Sequence, residues 1–385
     1  MDCFKAGAGR EIITPEIGAR LYGYTLDVFA ESVHDDLTVT AAAFEYKGIK
    51  AVLLSAAVCL INNDLCDEIR NAVSKETKIP FSNIIISAIH THSGPCTAGN
   101  TGWGELDREY CDGIFIPKII SAVKTAIKNC VPALLGIGSV KSDVGINRRQ
   151  LNQNNSVSLG QNPWGCYDPD LTVLSFKTLK GEPVANIIHY GAHCTASGKN
   201  TEITRDWAGV MIDTLEKESG AVTAFFNGAE GDVGPRLANG LTVGNIDIAM
   251  EHGEKAAKDA VKAFEKIKEC LPATLECLSG EIRLPFAPVM PLKEARKKLA
   301  GFKGEKHINL SGRTYEYLTA IVEAHQNSLP EETHFILGQT IIKIGPAVFI
   351  PFPFEVFSEI SLRLRKYSPC PHTLMLGCTN GNYGY

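Results

Sequence analysis

Apolar residues recur along this chain with two periods, which predict alternating strands and helices. Alternation at every second position, or a short apolar run, predicts a strand, whereas apolar positions three and four residues apart predict an amphipathic helix. The predicted strands cover residues 38–46, 50–60, 83–89, 133–139, 170–177, 184–190, 222–226, 274–283, 334–344, 347–350 and 373–377. The predicted helices cover residues 62–78, 107–129, 206–218, 245–266, 291–300, 313–327 and 355–366. Because some strands follow one another directly and others alternate with helices, we expect an α/β fold with a mixed β-sheet core flanked by helices.

The bulk composition is that of a folded globular protein and argues against several functions. The chain has 385 residues, 44% of them hydrophobic and 21% charged, with a net charge of −5. We expect one domain over residues 1–385, with two intimately packed halves, about 1–180 and 181–385, as the alternative. The lack of a basic excess argues against a nucleic acid partner, and the lack of about 18 consecutive apolar residues argues against a membrane span. None of these features specifies the oligomeric state.

The N-terminal segment and the cysteines favour a cytoplasmic protein. Residues 1–10 contain no apolar stretch of the kind found in signal peptides. The twelve cysteines are scattered singly, without a Cys-x-x-Cys pair. We therefore expect free thiols in a reducing compartment, rather than a disulfide framework or a thiolate zinc site.

The strongest chemical signal is a pair of histidines at the end of a predicted strand. The apolar run from Ile84 to Ile89 stops at His90, and His92 follows one residue later. Residues i and i+2 of an extended segment point the same way, so both imidazoles can face one site. Imidazole is the commonest metal ligand and a proton shuttle near neutral pH. The motif therefore predicts half of a mononuclear metal site, with two structural histidines as the alternative.

Three further blocks place polar residues after apolar strands. His193 follows the strand at 184–190, and Asp232 lies among glycines after the strand at 222–226. Glu355 is a single acid in an apolar segment, where burial without a partner would be costly. Asp206 precedes a predicted helix, so that an N-cap is an equally good interpretation of this residue.

These blocks, in this order, resemble the neutral/alkaline non-lysosomal ceramidase family, specifically its N-terminal catalytic domain. The motif from His90 to Pro95 is fairly specific, and the ordered set is more so. The other matching segments are Gly9 to Pro15, Gly23-Tyr24, Val33 to Asp35, Ile146 to Arg148, Ala192 to Thr195, Asp206, Gly231-Asp232, Pro353 to Glu355 and the terminal Asn380 to Tyr385. The resemblance covers nearly the whole chain. The family's C-terminal β-sandwich has no counterpart here, so we expect a ceramidase-like chain without it.

The resemblance implies a zinc site with four ligands. Carried over residue by residue, these ligands are His90, His193, Glu355 and Tyr385. Zinc accepts neutral imidazole, carboxylate and phenolate, and a catalytic zinc keeps a position for water. Tyr385 can either coordinate or donate to the developing oxyanion.

The same resemblance assigns roles to residues around the ion. His92 would be the acid/base, taking the proton of the water and returning it to the departing amine. Arg148 would face the substrate, although its neighbour Arg149 could be the inward one. Asp232 or Asp206 would orient a histidine rather than bind zinc.

One departure from the family affects the expected substrate. The family usually has Gly-Asp-x-Ser-Pro-Asn where this chain has Gly234 and Arg236 in place of the serine and the asparagine. The hydroxyl and amide that would meet a sphingoid headgroup are missing. We therefore expect a zinc-dependent hydrolase that uses metal-activated water on an amide (N-acyl) bond of a small, polar substrate. The alternatives are a ligand-binding protein without turnover, an esterase and a true ceramidase.

Overall fold

Two β-sheets and a layer of helices form the described part of this computed structural model, which covers residues 3–100, 103–306, 309–327 and 333–385. The larger sheet contains nine strands, of which one is the short segment Leu271–Pro272. The other strands of this sheet are β1 (Lys5–Ile12), β2 (Thr38–Tyr46), β3 (Ile49–Ala56), β4 (Ile84–Ala88), β5 (Val131–Lys141), β6 (Asp170–Thr178), β7 (Pro183–Tyr190) and β8 (Val222–Asn227). Their spatial order is β8-β7-β6-β5-β1-β2-β3-β4.

This larger sheet is mixed, as the sequence predicts. The pairs β3/β4 and β7/β8 are parallel, and the other neighbours along the sheet are antiparallel. In both parallel pairs, the second strand follows a helix that crosses over from the first. The predicted α/β class with a mixed sheet is therefore confirmed.

A smaller sheet lies against the larger one. Its strands, in spatial and chain order, are β9 (Leu275–Pro285), β10 (His334–Ile344), β11 (Ala347–Pro351) and β12 (His372–Leu376). Short strands form four further pairs: Leu21–Tyr22 with Gly94–Pro95, Ser32–Val33 with Glu202–Ile203, Arg149–Leu151 with Val157–Leu159, and Gly145–Asn147 with Val233–Pro235.

The helices agree in position with the predicted ones, apart from their ends. They are α1 (Asn63–Thr77), α2 (Ile116–Lys128), α3 (Asp206–Ser219), α4 (Ile246–Glu265), α5 (Leu292–Ala300), α6 (Asn309–Gln326) and α7 (Ser358–Tyr367). The predicted helix 107–129 is interrupted: a short turn at Arg108–Tyr110 and a π-helical turn at Cys111–Phe115 precede α2. No helix in the described ranges is long and apolar enough to cross a membrane.

The core has two parts, one on each face of the larger sheet. On one face, residues such as Val39 and Leu54 pack against helices α1 to α4 through side chains such as Ile69. On the other face, residues such as Phe44 share one apolar cluster with residues of the smaller sheet, such as Phe349. Successive side chains of β2 point to opposite faces of the sheet, which explains the period of two in its sequence. Helices therefore cover one face, while a second sheet covers the other.

The sequence pattern does not predict β1, although this strand lies near the middle of the sheet. Residues 5–12 contain two glycines and few β-branched or aromatic side chains, which lowers their strand propensity. The strand passes directly beneath α2: a Cβ on Gly9 would lie 2.3 Å from the carbonyl oxygen of Ala122. Glycine is therefore required by the close approach of the helix, and that approach is invisible to a local pattern.

The predicted boundary between two halves, at residues 180 and 181, falls in the turn between β6 and β7. These two strands pair antiparallel within one sheet. The assignment of residues 1–385 to one domain, or to two packed halves, stays a prediction.

Candidate metal centre

His90 lies two residues after the end of β4 and points its Nε2 atom into a buried polar cluster. Its backbone φ is 70°, which is left-handed. Its amide donates to the Val58 carbonyl at 3.0 Å, and its Nδ1 donates to the Cys59 carbonyl at 2.8 Å. Because the proton is on Nδ1, the Nε2 of the neutral ring carries a free electron pair. His90 is therefore left-handed, whereas the strand pattern predicts an extended residue, but its Nε2 still lies 3.2 Å from His92 Nε2.

His193 follows β7 by three residues and is oriented in the same manner. Its amide donates to the Val233 carbonyl at 3.0 Å, and its Nδ1 donates to the Glu230 carbonyl at 2.6 Å. The side chain is 1% exposed. The rings of His90 and His193 lie nearly perpendicular, with centroids 4.5 Å apart. Both rings therefore carry an unprotonated Nε2, and the two histidines belong to one cluster of potential ligands.

Glu355 completes a group of three potential ligands. It lies in the loop between β11 and α7, where its amide donates to the Gly384 carbonyl at 3.0 Å. Its Oε2 lies 3.2 Å from His193 Nε2 and 3.7 Å from His90 Nε2. The three ligand atoms lie within 4.8 Å of one another. Ligands of tetrahedral zinc are about 3.3 Å apart at metal–ligand distances of about 2.0 Å, so this donor set fits the ion.

The electrostatics of the three residues also suit a cation. Burial lowers the pKa of His90 and, together with the charges of Arg148 and His90, lowers the pKa of His193 to about 3. Burial alone would raise the pKa of Glu355, but interactions with His90, His193 and Arg148 hold it below its usual value, and of these three groups only Arg148 is charged at neutral pH. At neutral pH the cluster therefore contains two neutral imidazoles and one carboxylate, the protonation states that zinc binding requires.

His92 lies beside these three residues. Its Nε2 is 3.2 Å from His90 Nε2, and its ring contacts Tyr24 edge-on, with centroids 5.1 Å apart. Its Nδ1 is buried and has no partner among the described residues. Burial, and then the neighbouring histidines, lower its pKa well below the usual value. His92 is thus a neutral imidazole within reach of the cluster, and neutrality is the protonation state that a proton acceptor needs.

A second group, formed by Cys59, His90 and His92, has a similar spacing of potential ligand atoms. Burial raises the pKa of the Cys59 thiol well above its usual value. To bind zinc at neutral pH, this group would have to release the Cys59 proton, whereas Glu355 is already a carboxylate. The group with Glu355 is therefore the better candidate.

Arg148 is the inward-facing arginine of the Arg148-Arg149 pair. Its Nη2 lies 2.8 Å from His193 Nε2 and 3.9 Å from Glu355 Oε2, and its Nε donates to the Gly231 carbonyl at 3.2 Å. The residue is 8% exposed. The guanidinium of Arg149 instead packs over the ring of Phe357 at 5.0 Å. Arg148 therefore adds a donor and a positive charge to the site.

Tyr385 lies next to Arg148, whose guanidinium is 5.7 Å from the centre of the tyrosine ring. The Tyr385 hydroxyl donates to the Gly231 carbonyl at 2.6 Å, and the residue is 56% exposed. To coordinate an ion or stabilise an oxyanion, the hydroxyl must give up its hydrogen bond to the Gly231 carbonyl. Its role as fourth ligand or oxyanion donor stays a prediction.

Asp232 and Asp206 hold loops rather than histidines. The Asp232 carboxylate accepts from the amide of Ser358 at 2.7 Å and from Asn147 at 3.1 Å, which ties the start of α7 to the turn before Val233. The Asp206 carboxylate accepts from the amide of Ser197 at 2.8 Å and is 1% exposed. The expectation that either acid orients a histidine is wrong, because backbone carbonyls accept from both Nδ1 atoms. Asp206 is also not the N-cap: it is the first residue of α3, with a left-handed φ of 56°.

Glu230 is a residue that sequence reasoning missed. It is fully buried, burial raises its pKa to about 8, and its Oε1 accepts from the thiol of Cys378 at 2.9 Å. Its carbonyl fixes the tautomer of His193. The available signal was an acid within the glycine-containing block after β8.

Gly234, the position at which the family has serine, lies under another side chain. A Cβ at this position would be 2.7 Å from Cβ and 2.9 Å from Cγ2 of Thr242, and 3.5 Å from Cδ of Arg148. Thr242 is 5% exposed, and its carbonyl accepts from the hydroxyl of Thr195 at 3.2 Å. Thr242 therefore occupies the space that a side chain at position 234 would need.

Gly234→Ala is expected to destabilise the protein by about 1–3 kcal/mol, because overpacking forces a buried neighbour to move. Urea denaturation of the variant measures this change. Thr242→Gly removes both contacting atoms. Gly234→Ala should therefore cost less stability in the Thr242→Gly background than in the unmodified protein. Equal losses from Gly234→Ala in the two backgrounds would show that Thr242 is not the obstacle.

Comparisons with known proteins identify the relatives of this chain. A family model described as the N-terminal part of neutral/alkaline non-lysosomal ceramidase matches residues 4–260. Neutral ceramidase A and neutral ceramidase B of Dictyostelium discoideum are 25% and 26% identical to this chain over 260 residues. These alignments cover 60% of this chain, but only 36% and 35% of the relatives. They therefore span about a third of each relative.

Two solved structures share the fold. The crystal structure of neutral ceramidase from Pseudomonas aeruginosa aligns with a TM-score of 0.74 and 18% identity, covering all of this chain and 69% of that one. A structure described as a ceramidase complexed with C2 aligns with a TM-score of 0.75 and 20% identity, covering all of this chain and 70% of that one. At these identities the likeness concerns the fold.

Proposed function

Because this chain belongs to the neutral/alkaline non-lysosomal ceramidase family, we propose that it is a zinc-dependent hydrolase of an amide bond. The observation that carries the proposal is the convergence of His90 Nε2, His193 Nε2 and Glu355 Oε2 within 4.8 Å. Two further points support it: backbone carbonyls fix both histidines in the tautomer that a metal needs, and the guanidinium of Arg148, 3.9 Å from Glu355 Oε2, favours the ionised carboxylate.

The residues around the cluster have separate tasks in the proposed reaction. When bound, zinc lowers the pKa of a coordinated water to about 7 and polarises a carbonyl group. His92, neutral at the working pH, accepts the proton of the attacking water and delivers it to the departing amine. Arg148 donates to the carbonyl oxygen as negative charge develops, and exchanges its contact with His193 to do so. Tyr385 is the second proposed donor at this position.

We propose a small, polar substrate with an N-acyl bond. Two features support this choice: no hydroxyl is available at Gly234, and Thr242 occupies the space above it. The charged Arg148 next to this position suits polar groups better than an alkyl chain. The alternatives are a true ceramidase and an esterase, and the substrate screen distinguishes both from a hydrolase of small, polar N-acyl compounds.

The proposal is tested by metal analysis and by a substrate screen. Protein purified without added metal should contain zinc in a ratio near one ion per chain, and His90→Ala and His193→Ala should lower this ratio. A library of N-acyl compounds, with ceramide and matched esters included, is then assayed for released amine or alcohol. Turnover that a chelator removes and zinc restores supports the hydrolase. A metal-free, equally stable and inactive protein would identify a binding protein instead.

The pH dependence of zinc binding provides a further prediction. Protons compete with zinc for an imidazole only when the pH approaches the pKa of that imidazole in the metal-free protein. Since the pKa of His90 is lowered and that of His193 is about 3, zinc affinity should change little between mildly alkaline pH and about pH 6.5, and should fall at lower pH. Competition with a chromophoric chelator measures this profile. A steep loss of affinity already above the usual histidine pKa would contradict it.

We also propose that the protein acts in the cytoplasm on a small-molecule substrate. All twelve cysteines are free thiols, as a reducing compartment would keep them. Fractionation of cells that express the native protein tests this location.

A further inference from the structure

The loop of residues 16–30 lies against His92, and one of its glycines contacts the imidazole ring directly. A Cβ atom on Gly23 would lie 2.5 Å from both Cγ and Nδ1 of His92, and 2.8 Å from its Cβ. The backbone φ of Gly23 is 126°, a conformation that glycine adopts readily and other residues do not. Position 23 therefore requires glycine for two separate reasons, and one of them is the location of the His92 ring.

Tyr24 is the second neighbour of this ring in the same loop. Its aromatic ring meets the imidazole edge-on, with centroids 5.1 Å apart. The loop is anchored just before these residues, because Tyr22 pairs with Gly94 in a short antiparallel ladder. Gly94 follows His92 by two positions. Gly23 and Tyr24 are therefore held against the imidazole by a connection to the chain segment that carries it.

Hydrogen bonds do not orient His92 in the way that they orient the other two histidines of the site. The Nδ1 atoms of His90 and His193 donate to backbone carbonyls at 2.8 Å and 2.6 Å, whereas Nδ1 of His92 is buried without a partner among the described residues. On its other side, His92 Nε2 contacts His90 Nε2 at 3.2 Å. That atom is a proposed metal ligand, and an electron pair given to a metal cannot also accept a hydrogen bond. Among the contacts of the described residues, packing is then what remains to orient His92 when a metal is bound.

We propose that Gly23 and Tyr24 are positioning residues for His92. Their packing takes the place of the hydrogen bond that usually orients a functional imidazole. Gly23 lets the backbone lie against the ring at Cγ and Nδ1, and Tyr24 supports the ring through the edge-on contact. The proposal rests on the proposed hydrolase function, in which His92 carries the proton, but the orientation of the ring can also be measured without turnover.

Gly23→Ala tests the proposal, and Gly18→Ala is its matched control. Gly18 lies in the same loop and has a φ of 92°, but a Cβ there would meet no atom of the described residues within 4 Å. Both variants place a side chain on a left-handed backbone, and only Gly23→Ala meets the His92 ring. Gly23→Ala should lower kcat by about 10- to 100-fold, since a misplacement of about 1 Å can cost about 100-fold, and should retain zinc. Gly18→Ala should leave kcat unchanged, and an unchanged kcat in Gly23→Ala would overturn the proposal.

Two variants of Tyr24 test the second contact without placing strain on the backbone. Tyr24→Ala removes the aromatic ring and should lower kcat by about tenfold, with KM little changed and zinc retained. Tyr24→Phe keeps the ring and should recover most of the lost kcat. Thermal denaturation checks that each variant is folded. Equal kcat values for Tyr24→Ala and Tyr24→Phe would show that the edge-on contact does not position His92.

Nuclear magnetic resonance of the metal-free protein with isotope-labelled histidines gives a measurement that needs no turnover. His92→Gln identifies the ring signals of His92. Gly23→Ala should shift these signals and leave those of the buried His189 in place, whereas Gly18→Ala should shift neither. Unshifted His92 signals in Gly23→Ala would overturn the proposal. An unmodified protein without zinc-dependent turnover would instead reject the proposed function, and the ring signals would still test the packing.

Discussion

Glu355→Gln is expected to lower zinc affinity by more than about 100-fold and to remove amide hydrolysis. Changes to groups that only support a ligand cost about 10–100-fold in metal affinity, and the loss of a charged ligand should exceed this. Glutamine keeps the size of the side chain but replaces a carboxylate oxygen, 3.2 Å from His193 Nε2, by a neutral amide. Zinc affinity is measured by chelator competition, and activity by amine release.

Glu359→Gln is the matched control for this prediction. Glu359 lies four residues further along, at the start of α7, and is exposed. Its replacement should change neither zinc affinity nor turnover. If Glu355→Gln bound zinc as tightly as the unmodified protein, the third ligand of the proposed site would be wrong, even with both histidines in place.

His92→Gln is expected to lower kcat by about 10²- to 10⁴-fold, the usual contribution of a general acid–base, and to leave zinc affinity within a few fold. The reason is the position of His92: its Nε2 reaches the cluster, 3.2 Å from His90 Nε2, but the other three residues already hold the ligand atoms. The measurement is a kcat and KM determination on zinc-loaded protein, with zinc content checked before and after.

His34→Gln serves as the histidine control, because His34 is exposed and should not affect kcat. A parallel loss of zinc and activity in His92→Gln would make His92 a ligand rather than the proton carrier. A normal kcat with full zinc content would remove the residue from the reaction altogether.

The order and type of most secondary-structure elements could be predicted from the chain alone. Periodicity records which side of a segment is buried, and this is a local property of each strand or helix. The strand β1 escaped prediction because its glycines reflect contact with α2, not an intrinsic strand preference. The sequence pattern does predict β9 to β12 as strands. It does not predict that these strands form a second sheet that covers one face of the larger sheet.

The candidate site shows the same division. The histidine motif at His90 and the isolated Glu355 are visible in the sequence because their residue types are unusual where apolar strands end. The convergence of Glu355 with His193, 162 positions earlier in the chain, is not visible there. The choice of Arg148 over Arg149, and the function of Asp232 as a loop anchor, also required the packed structure.

The sequence by itself therefore determined the chemical inventory, namely which side chains stand where strands end, together with the periodic pattern that marks the strands and helices. Only the tertiary structure decided their mutual distances, the left-handed turn at His90, the backbone carbonyls that set both tautomers, and the Thr242 side chain over Gly234. The physical reason is that patterns arise from neighbours along the chain, whereas a ligand cluster is set by packing between elements that are far apart in sequence.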